Sequence, residues 1–591
     1  MRLVFDLESN GLLDELDRIH CLCLKDIDSG KTYSFAPDEV ETGVKMLMEA
    51  TLAIGHNVIG FDIPALKKVY PWFVIDKSLV RDTLLLSQVL WPDLSDRDHR
   101  LVARGDKDFP RNMIGKHRLE AWGYRLGCLK GEYDGGWSNW SPEMQYYCEQ
   151  DVEVTDRLWK LIESKELSPV ATELEHQVKW VIVDQEKRGF AFDEKAANAL
   201  TQTLMKRRSE LEAELQDAFP PWEEEVGLFI PKVNNKTRGY VKGVPIMKTK
   251  TVVFNPGSRM HIENRLRAIH GWQPKQFTDD GRAKVDETVL SKLPYPETKL
   301  LGEYLLIAKR LGQISEGKQA WLKNTKAGRI HGRVITNGAR TGRATHQSPN
   351  VSQTPANSVP YGKECRACWT ASEGRVLLGA DVSGLELRAL ANAMFPYDNG
   401  SYATEVCEGD VHTTNQLAAG LPDRNSAKTF IYAFIYGAGD AKIGSIVGKG
   451  ANAGKEIKKA FFEKVPALEK LIKNTRHQAE QDGFIYGLDG RPLYVPAAFS
   501  SLNTLLQSAG ALICKRWLVE VDIELSKRGW KERCQQVAWI HDELQFDVDP
   551  DIADECGKLV VDCIKRAGDF FDFKVPLTGE YSIGANWSET H

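Results

Sequence analysis

The chain has 591 residues, of which 42% are hydrophobic and 27% are charged, and its formal net charge is −5. This balance is typical of globular proteins and argues against a disordered chain or a strongly basic protein that binds any nucleic acid. No apolar run approaches the roughly 20 residues needed to cross a membrane. The length corresponds to about four domains of about 150 residues each.

The N-terminal region holds four acids and a tyrosine whose spacing would bring them together: Asp6, Glu8, Asp62, Tyr147 and Asp151. Residues 4–8 predict a strand that presents its two acids on the same side, because strand side chains alternate. Ser141 and Pro142 predict the start of a helix, with a cap followed by proline in the first turn. The four-residue step from Tyr147 to Asp151 places both on one face of that helix.

Four carboxylates can hold two metal ions, and a tyrosine can orient a water molecule. This combination favours metal-assisted hydrolysis of a phosphodiester. Taken singly, each acid could instead cap a helix or solvate the surface, since short motifs match by chance.

The middle of the chain predicts a long helix with a basic segment after it. Leu200, Leu204, Leu211 and Leu215 recur on one side of this helix, next to the basic run 206–208. Residues 232–250 contain six cations and no acid: Lys232, Lys236, Arg238, Lys242, Lys248 and Lys250. Such a segment can bind phosphates, although an isolated basic run is often only a solvated loop.

Two acidic motifs in the second half of the chain predict a metal site. Asp381 follows the apolar run 376–380, which predicts a buried strand. Asp542 lies between apolar segments 537–540 and 544–548, at the expected tip of a hairpin. Mg²⁺ prefers such hard oxygen ligands, and a pair of ions can stabilise both the entering and the leaving oxygen of a phosphoryl transfer.

A basic and aromatic helix is predicted between these motifs. Arg424, Lys428, Tyr432 and Tyr436 recur every four residues, residues 425–436 contain no glycine or proline, and Gly437 ends the pattern. The cations could grip a triphosphate while the aromatic rings flank the base and sugar. The alternative is a solvated basic face above two core tyrosines.

These three segments resemble motifs A, B and C of the family A DNA polymerases, in the form found in replicative polymerases of short-tailed bacteriophages. The resemblance also includes His412 and the segments 254–259, 341–346 and 503–511, and it extends over nearly the whole chain. The N-terminal acids are similar to those of the 3′–5′ proofreading exonuclease domain that accompanies such polymerases.

The resemblance implies a role for each matched residue. The implied catalytic residues of synthesis are Asp381, Asp542 and Glu543, of which the two aspartates hold metal. The implied nucleotide-binding residues are His412, Arg424, Lys428, Tyr432, Glu386 and Tyr436. The implied primer–template contacts are Arg343, Gln507 and His541. In the exonuclease, Asp6, Glu8, Asp62 and Asp151 would hold metal and Tyr147 would complete the site.

The implied fold class is α+β with an α/β N-terminal domain, an RNase H-like exonuclease followed by a right-hand polymerase. The expected domains are an exonuclease (1–165), a thumb with a short basic insertion near 219–253 (166–330), a palm (331–400 and 495–591) and fingers (401–494). The expected palm sheet is mostly antiparallel. Two Mg²⁺ ions are expected in each active site, with Mn²⁺ able to replace them.

The expected partners are primer–template DNA, deoxynucleoside triphosphates and a replicative helicase–primase. Thioredoxin, which some relatives capture with a long thumb insertion, is not expected. The 33 residues 220–252 offer little apolar area, and Lys236, Arg238 and Lys242 suit duplex phosphates better. The 11 cysteines show no paired zinc spacing and predict reduced thiols in a cytoplasmic setting, the host cytoplasm if a phage encodes the protein.

Two other function classes remain open at this point. A single-subunit RNA polymerase shares a related palm, but Glu386 beside the sugar would exclude a 2′-hydroxyl. A DNA-binding subunit without catalysis could retain the fold, but the full set of acids argues against it.

Overall fold

The computed structural model describes residues 1–104, 109–129, 131, 133–278 and 280–591. Tertiary contacts divide the chain into two compact units. The larger unit contains Met1–Phe190, His331–Thr354 and Thr370–His591, and the smaller unit contains Ala191–Ile330 and Pro355–Trp369. In the described ranges, no helix has the length and apolar character needed to span a membrane.

The larger unit begins with a five-stranded sheet in the order β3-β2-β1-β4-β5. Its strands are β1 Arg2–Ser9, β2 Ile19–Asp26, β3 Thr32–Phe35, β4 Leu52–Gly55 and β5 Val80–Asp82. The first three pair antiparallel, whereas β4 and β5 run parallel to β1. This is the mixed sheet expected of an RNase H-like domain.

Helices cover both faces of this sheet. They are α1 Val40–Met48, α2 Asp62–Val69, α3 Thr83–Leu90, α4 Leu94–Ala103, α5 Leu119–Leu126, α6 Pro142–Glu163 and α7 Pro169–Arg188. Alternation along β1 sends Leu3, Phe5 and Leu7 into one hydrophobic cluster and Val4 into the opposite one, which contains residues of α6. Asp6 and Glu8 therefore share the α6 side of the sheet, as predicted.

The smaller unit is mainly helical. Its helices are α8 Glu194–Ala218, α9 Arg259–His270, α10 Glu287–Leu290, α11 Glu297–Leu311 and α12 Gly362–Ala367, and its short strands include β7 Trp222–Phe229, β8 Ile246–Val252, β9 Thr325–Lys326 and β10 Arg329–Ile330. The strand β6 Phe190–Ala191 precedes them. The four predicted leucines of α8 are all buried.

The basic run on α8 is engaged by acids of its own unit. Arg207 donates hydrogen bonds to Glu303 on α11, at 2.8 Å and 3.0 Å, and Arg208 contacts Glu316 at 2.9 Å. Direct DNA contacts from these two arginines would have to break those ion pairs.

Strands β7 and β8 form an antiparallel hairpin, and this structure corrects two arguments drawn from the sequence. One of the six cations faces an acid, because Lys250 lies directly across from Glu224 on the neighbouring strand. The apolar area is also larger than expected, since large hydrophobic side chains are exposed along the segment: Val226, Leu228, Ile230, Val233, Val241, Val244, Met247 and Val253. Lack of apolar surface therefore gives no reason to exclude a protein partner there.

The remainder of the larger unit is built on a four-stranded sheet in the order β16-β17-β13-β18. Its strands are β13 Val376–Val382, β16 Cys534–Ile540, β17 Glu543–Val548 and β18 Gly579–Gly584, and every pairing is antiparallel, as expected of the palm. Two small hairpins accompany it: β11 Arg333–Ile335 with β12 Thr345–Gln347, and β14 Phe484–Tyr486 with β15 Pro492–Tyr494.

Nine helices pack around this sheet and beside it in the described ranges. They are α13 Leu385–Asp398, α14 Ser401–Cys407, α15 Val411–Ala419, α16 Arg424–Ile435, α17 Asp440–Ile446, α18 Ala451–Lys464, α19 Pro466–Asp482, α20 Ser501–Lys527 and α21 Ala553–Phe570. The 27-residue α20 is buried on nearly every side. Its residue Trp517 is fully buried and donates a hydrogen bond to the Val560 carbonyl of α21 at 2.7 Å.

A buried ionic cluster joins α7 to α20 and to the β14–β15 hairpin. The Oε1 atom of Glu175 lies 2.5 Å from Lys515 Nζ and 2.6 Å from an Arg491 guanidinium nitrogen, and Arg491 also contacts Asp489 at 2.6 Å. All four side chains are almost completely buried. Burial alone would raise the pKa of Glu175, but the two cations outweigh it and hold that pKa below its usual value. The two positive and two negative charges balance.

We predict that Lys515→Met destabilises the protein by about 3–5 kcal/mol, because Glu175 and Asp489 would then outnumber the one remaining cation in a dry environment. Chemical denaturation followed by tryptophan fluorescence measures this. The control is Lys473→Met, which removes an exposed pair with Glu469 and should cost less than about 0.5 kcal/mol. Equal destabilisation by the two variants would contradict the prediction.

Candidate functional site

The two predicted aspartates of the second half meet at one end of the palm sheet. Asp381 is the penultimate residue of β13 and pairs with Glu543 of β17. Asp542 is at the tip of the β16–β17 hairpin, and its carbonyl accepts a hydrogen bond from the Val382 amide at 3.1 Å. The turn places His541 in the left-handed region, with φ of 57°. Adjacent strands therefore hold both carboxylates at one rigid edge.

Burial and neighbouring acids raise the pKa values of both carboxylates. Burial, followed by the charge of Asp542, raises the pKa of Asp381 to about 7. Burial, followed by Glu386, raises the pKa of Asp542. Carboxyl groups that share a site in this way lose their protons more easily when a cation is added, as in a metal site.

A cavity of about 200 Å³ opens beside this edge. Five of the predicted residues line it: Arg343, Glu386, Tyr436, His541 and Asp542. The Tyr436 hydroxyl donates a hydrogen bond to Glu386 at 3.3 Å, and Arg343 lies 3.6 Å from the same carboxylate oxygen. Glu386 is thus held between a cation and a hydroxyl.

Gln507 is not among the residues that line this cavity. It lies on α20, one turn before the lining residue Gly510, and donates to Asn503 at 2.8 Å. The cavity also contains two residues that local sequence patterns did not single out, Cys514 and Trp539.

Helix α16 forms as predicted, with Asp423 as its N-cap and a left-handed Gly437 after it. Arg424 pairs with Asp410, the N-cap of α15, at 2.9 Å. Lys428 is exposed and Tyr432 is half-buried.

Arg424 and Lys428 both affect the pKa of His412. Burial, followed by Arg424 and Lys428, lowers the pKa of His412. The ring of His412 lies 6.5 Å from that of Tyr432, centroid to centroid. The structure thus brings His412 close to Arg424, Lys428 and Tyr432.

Glu543 is buried, and donors from the C-terminal segment surround it. Its Oε1 atom accepts hydrogen bonds from Gln545 at 2.6 Å and from Trp587 at 2.5 Å, and its Oε2 atom lies 3.1 Å from His591 Nδ1. Trp587 and His591 were missed by the sequence analysis, because no local pattern links residues 44 or more positions away to this acid.

The N-terminal acids also assemble. Oxygen atoms of Asp6, Glu8 and Asp151 lie within 4.8 Å of one another, the spacing of shared metal ligands. Asp62 begins α2 and is almost completely buried. Burial, followed by the charges of Asp82 and Asp151, raises the pKa of Asp62 to about 7.

A further acid, Asp82, fixes the loop that carries Asp62. Its carboxylate accepts hydrogen bonds from the backbone amides of Asn57 at 2.8 Å, Ile59 at 3.2 Å and Leu84 at 3.0 Å. Asn57 is left-handed, with φ of 65°, so these bonds stabilise a turn that most residues avoid. Asp82 therefore positions the loop that leads to Asp62.

All five predicted N-terminal residues line a second cavity, of about 450 Å³. Tyr147 sits in an aromatic group with Tyr133 and Trp137, at centroid distances of 5.9 Å and 6.1 Å. Two arginines that the sequence analysis missed, Arg118 and Arg333, line the same cavity.

Comparisons with known proteins identify the family. The family model described as DNA polymerase family A matches residues 243–589. A DNA-directed DNA polymerase of Enterobacteria phage T3 is 39% identical and one of Escherichia phage T7 is 38% identical, each over 100% of both chains.

A solved structure resembles the whole chain. It is described as the POL domain of Pol1 from M. smegmatis in complex with DNA primer-template and dNTP. The TM-score is 0.74 at 17% identity, with coverage of 100% of this chain and 96% of that chain. The predicted right-hand polymerase fold is therefore confirmed, and the chain belongs to the family A DNA polymerases.

Proposed function

We propose that this DNA-directed DNA polymerase carries two separate metal-dependent sites, one for template-directed synthesis and one for 3′–5′ proofreading hydrolysis. The observation that carries the proposal is the pair of cavities, each lined by its own carboxylates: Glu386 and Asp542 in one, and Asp6, Glu8, Asp62 and Asp151 in the other. A polymerase with synthesis alone would need only one such cluster.

In synthesis, Asp381 and Asp542 would hold two divalent metal ions, Mg²⁺ or Mn²⁺, which would supply charge to stabilise the entering and leaving oxygens. Burial and neighbouring acids raise the pKa of both aspartates, and a bound cation would relieve this repulsion. Arg424, Lys428 and His412 bind the triphosphate, and Arg424 exchanges Asp410 for phosphate when it does so.

The contacts of Glu386 with Tyr436 and Arg343 support the assignments on the sugar and template side of the site. Tyr432 and Glu386 form the wall against the sugar, so that a 2′-hydroxyl meets a carboxylate. Tyr436 lies beside the template base. Arg343, Gln507 and His541 contact the primer–template. Glu543 supports the edge of the sheet through its buried hydrogen bonds, beside the metal-binding pair.

In proofreading, Asp6, Glu8, Asp62 and Asp151 hold metal, and Tyr147 orients the attacking water. Water adds to the phosphorus of the last nucleotide and the bond to the upstream 3′ oxygen breaks. That oxygen takes a proton, which leaves a 5′-mononucleotide and a strand one residue shorter. Three of the four ligand groups already lie within 4.8 Å of one another.

The domain assignments follow the two sites: exonuclease 1–165, thumb 166–330, palm 331–400 and 495–591, and fingers 401–494. Helix α7 lies in the larger unit, so the compact part of the thumb begins near residue 191. Proposed partners are primer–template DNA, deoxynucleoside triphosphates and a replicative helicase–primase, in the cytoplasm of a host cell.

We predict that the two activities separate by mutation. Asp381→Ala or Asp542→Ala abolishes primer extension but leaves digestion of single-stranded DNA, and Asp6→Ala with Glu8→Ala does the reverse, because each cluster holds its own metal. Both assays are run on each purified variant. A folded variant of either kind that loses both activities would rule out two independent sites.

We predict a pH effect on the metal-free protein. The folded-state pKa of Asp381, about 7, lies above the ordinary value of 3.8, so the folded state binds the extra proton and stability falls as pH rises from about 4 to 7. Asp381→Asn removes this loss and stabilises the metal-free protein by about 1 kcal/mol at pH 8, after allowance for solvent screening.

Thermal unfolding in a chelator, at pH 5 and pH 8, measures this effect. Asp569→Asn, which neutralises an exposed carboxyl, is the control. A variant at position 381 that is less stable than the wild type at pH 8 would contradict the electrostatic account.

We predict that the turn of the β7–β8 hairpin contacts duplex phosphates. Lys236, Arg238 and Lys242 are exposed there, and none forms an ion pair with another described residue. Substituting all three with glutamine should shorten products per binding event. It should also flatten the salt dependence of duplex binding by about 0.9 in log–log slope for each phosphate that the variant no longer neutralises.

The matched control neutralises three exposed lysines that pair with acids, Lys45, Lys459 and Lys558. The prediction fails if both triple variants behave alike. Product length is also measured with added thioredoxin, and a many-fold increase would show that the exposed apolar side of this hairpin binds a protein.

A further inference from the structure

The β11–β12 hairpin belongs to the polymerase part of the chain, yet it reaches both cavities. Its first strand begins at Arg333, which lines the N-terminal cavity. Its loop ends with Arg343 and Ala344, which line the polymerase cavity. A strand that passed directly between the two cavities would run along this hairpin.

Several interactions fix the hairpin in place. The Val334 amide donates a hydrogen bond to Glu186 of α7 at 2.6 Å, and the His331 ring contacts the Glu186 carbonyl at 2.9 Å. Arg340, in the loop, pairs with Asp96 of α4 at 2.9 Å. Arg333 is thus presented to the N-terminal cavity by an anchored element.

Arg118 faces the same cavity from the start of α5. Neighbouring arginines of this region are paired with acids: Arg97 with Asp93, Arg125 with Asp98 and Arg340 with Asp96. By contrast, the guanidinium groups of Arg118 and Arg333 are exposed and contact no acid within the described ranges. Two arginines without acidic partners, on either side of a cavity, suit an anionic ligand.

The ligand can be identified from the charges already in the cavity. Its four carboxylates would hold metal ions, which would supply positive charge at the bond that breaks. The next phosphates of a single strand would otherwise meet an acidic wall. Guanidinium groups bind phosphate through paired, charge-assisted hydrogen bonds and would remove this repulsion.

We propose that Arg118 and Arg333 hold the phosphates of the single strand immediately upstream of the bond that the N-terminal site hydrolyses. The upstream side is the one that the geometry favours, because a strand arriving from the polymerase cavity passes Arg333 before its end reaches the acids. This inference rests on the proposed exonuclease function and adds two positioning residues to it.

The test compares two substrates. Oligothymidylate has upstream phosphates, whereas the p-nitrophenyl ester of thymidine 5′-phosphate has none but is cleaved by the same attack of water. Arg333→Ala and Arg118→Ala should each raise KM for the oligonucleotide roughly tenfold, as expected when one hydrogen bond to a charged group is removed. Cleavage of the ester should be unchanged, and Arg333→Lys should recover part of the oligonucleotide KM.

Arg111→Ala is the control, because Arg111 is exposed in the same domain but lies outside the cavity lining. It should change cleavage of neither substrate. If Arg118→Ala and Arg333→Ala lowered cleavage of both substrates equally, or lowered cleavage of neither, the proposal would be overturned.

A binding measurement separates this proposal from the proposed function. Affinity for short oligothymidylate is measured in the Asp6→Ala, Glu8→Ala background, with and without the arginine substitutions. Each substitution should weaken binding roughly tenfold and reduce the log–log salt slope by about 0.7. If the wild type cleaves neither substrate but these changes occur, the nuclease function fails and the arginine site stands. If the wild type cleaves and binding is unchanged, only the arginine site fails.

Discussion

The buried carboxylate of Glu175 is the constraint on which the larger unit depends. A charge removed from water costs several kcal/mol unless opposite charges meet it with good geometry. Here Lys515 and Arg491 do so from a helix and a hairpin that are more than 300 residues further along the chain. None of these segments can bury its charge alone, so all must reach their final register together. The cluster specifies that register, whatever its net contribution to stability.

Helix α7 transmits this register to the N-terminal sheet. His176, the residue after Glu175, accepts a hydrogen bond from the Asp82 amide at 2.8 Å. Burial lowers the pKa of His176 to about 4, so its ring stays neutral and can accept. The Asp82 side chain in turn holds the loop before Asp62. Helix α7 thus anchors Asp82 beside the N-terminal acids, and it packs against the sheet that carries Asp381.

The two sites share one electrostatic arrangement. In each, carboxylates lie close together, and burial and mutual repulsion raise the pKa of one acid to about 7. Arginines also lie near the acids of each site: Arg343 is 3.6 Å from Glu386 in one, and Arg118 and Arg333 line the cavity of the other.

The sequence alone determined what depends on neighbours a few residues apart. Strand alternation put Asp6 and Glu8 on one side, turn signals put Asp542 at a hairpin tip, and helical periodicity aligned the fingers residues with Tyr432. Only the tertiary structure brought Arg333 to the N-terminal cavity, His591 to Glu543 and Glu175 to Lys515. It also placed Glu224 directly across from Lys250 in the β7–β8 hairpin. These contacts depend on the packing of distant segments, and short-range periodicity contains no information about which segments meet.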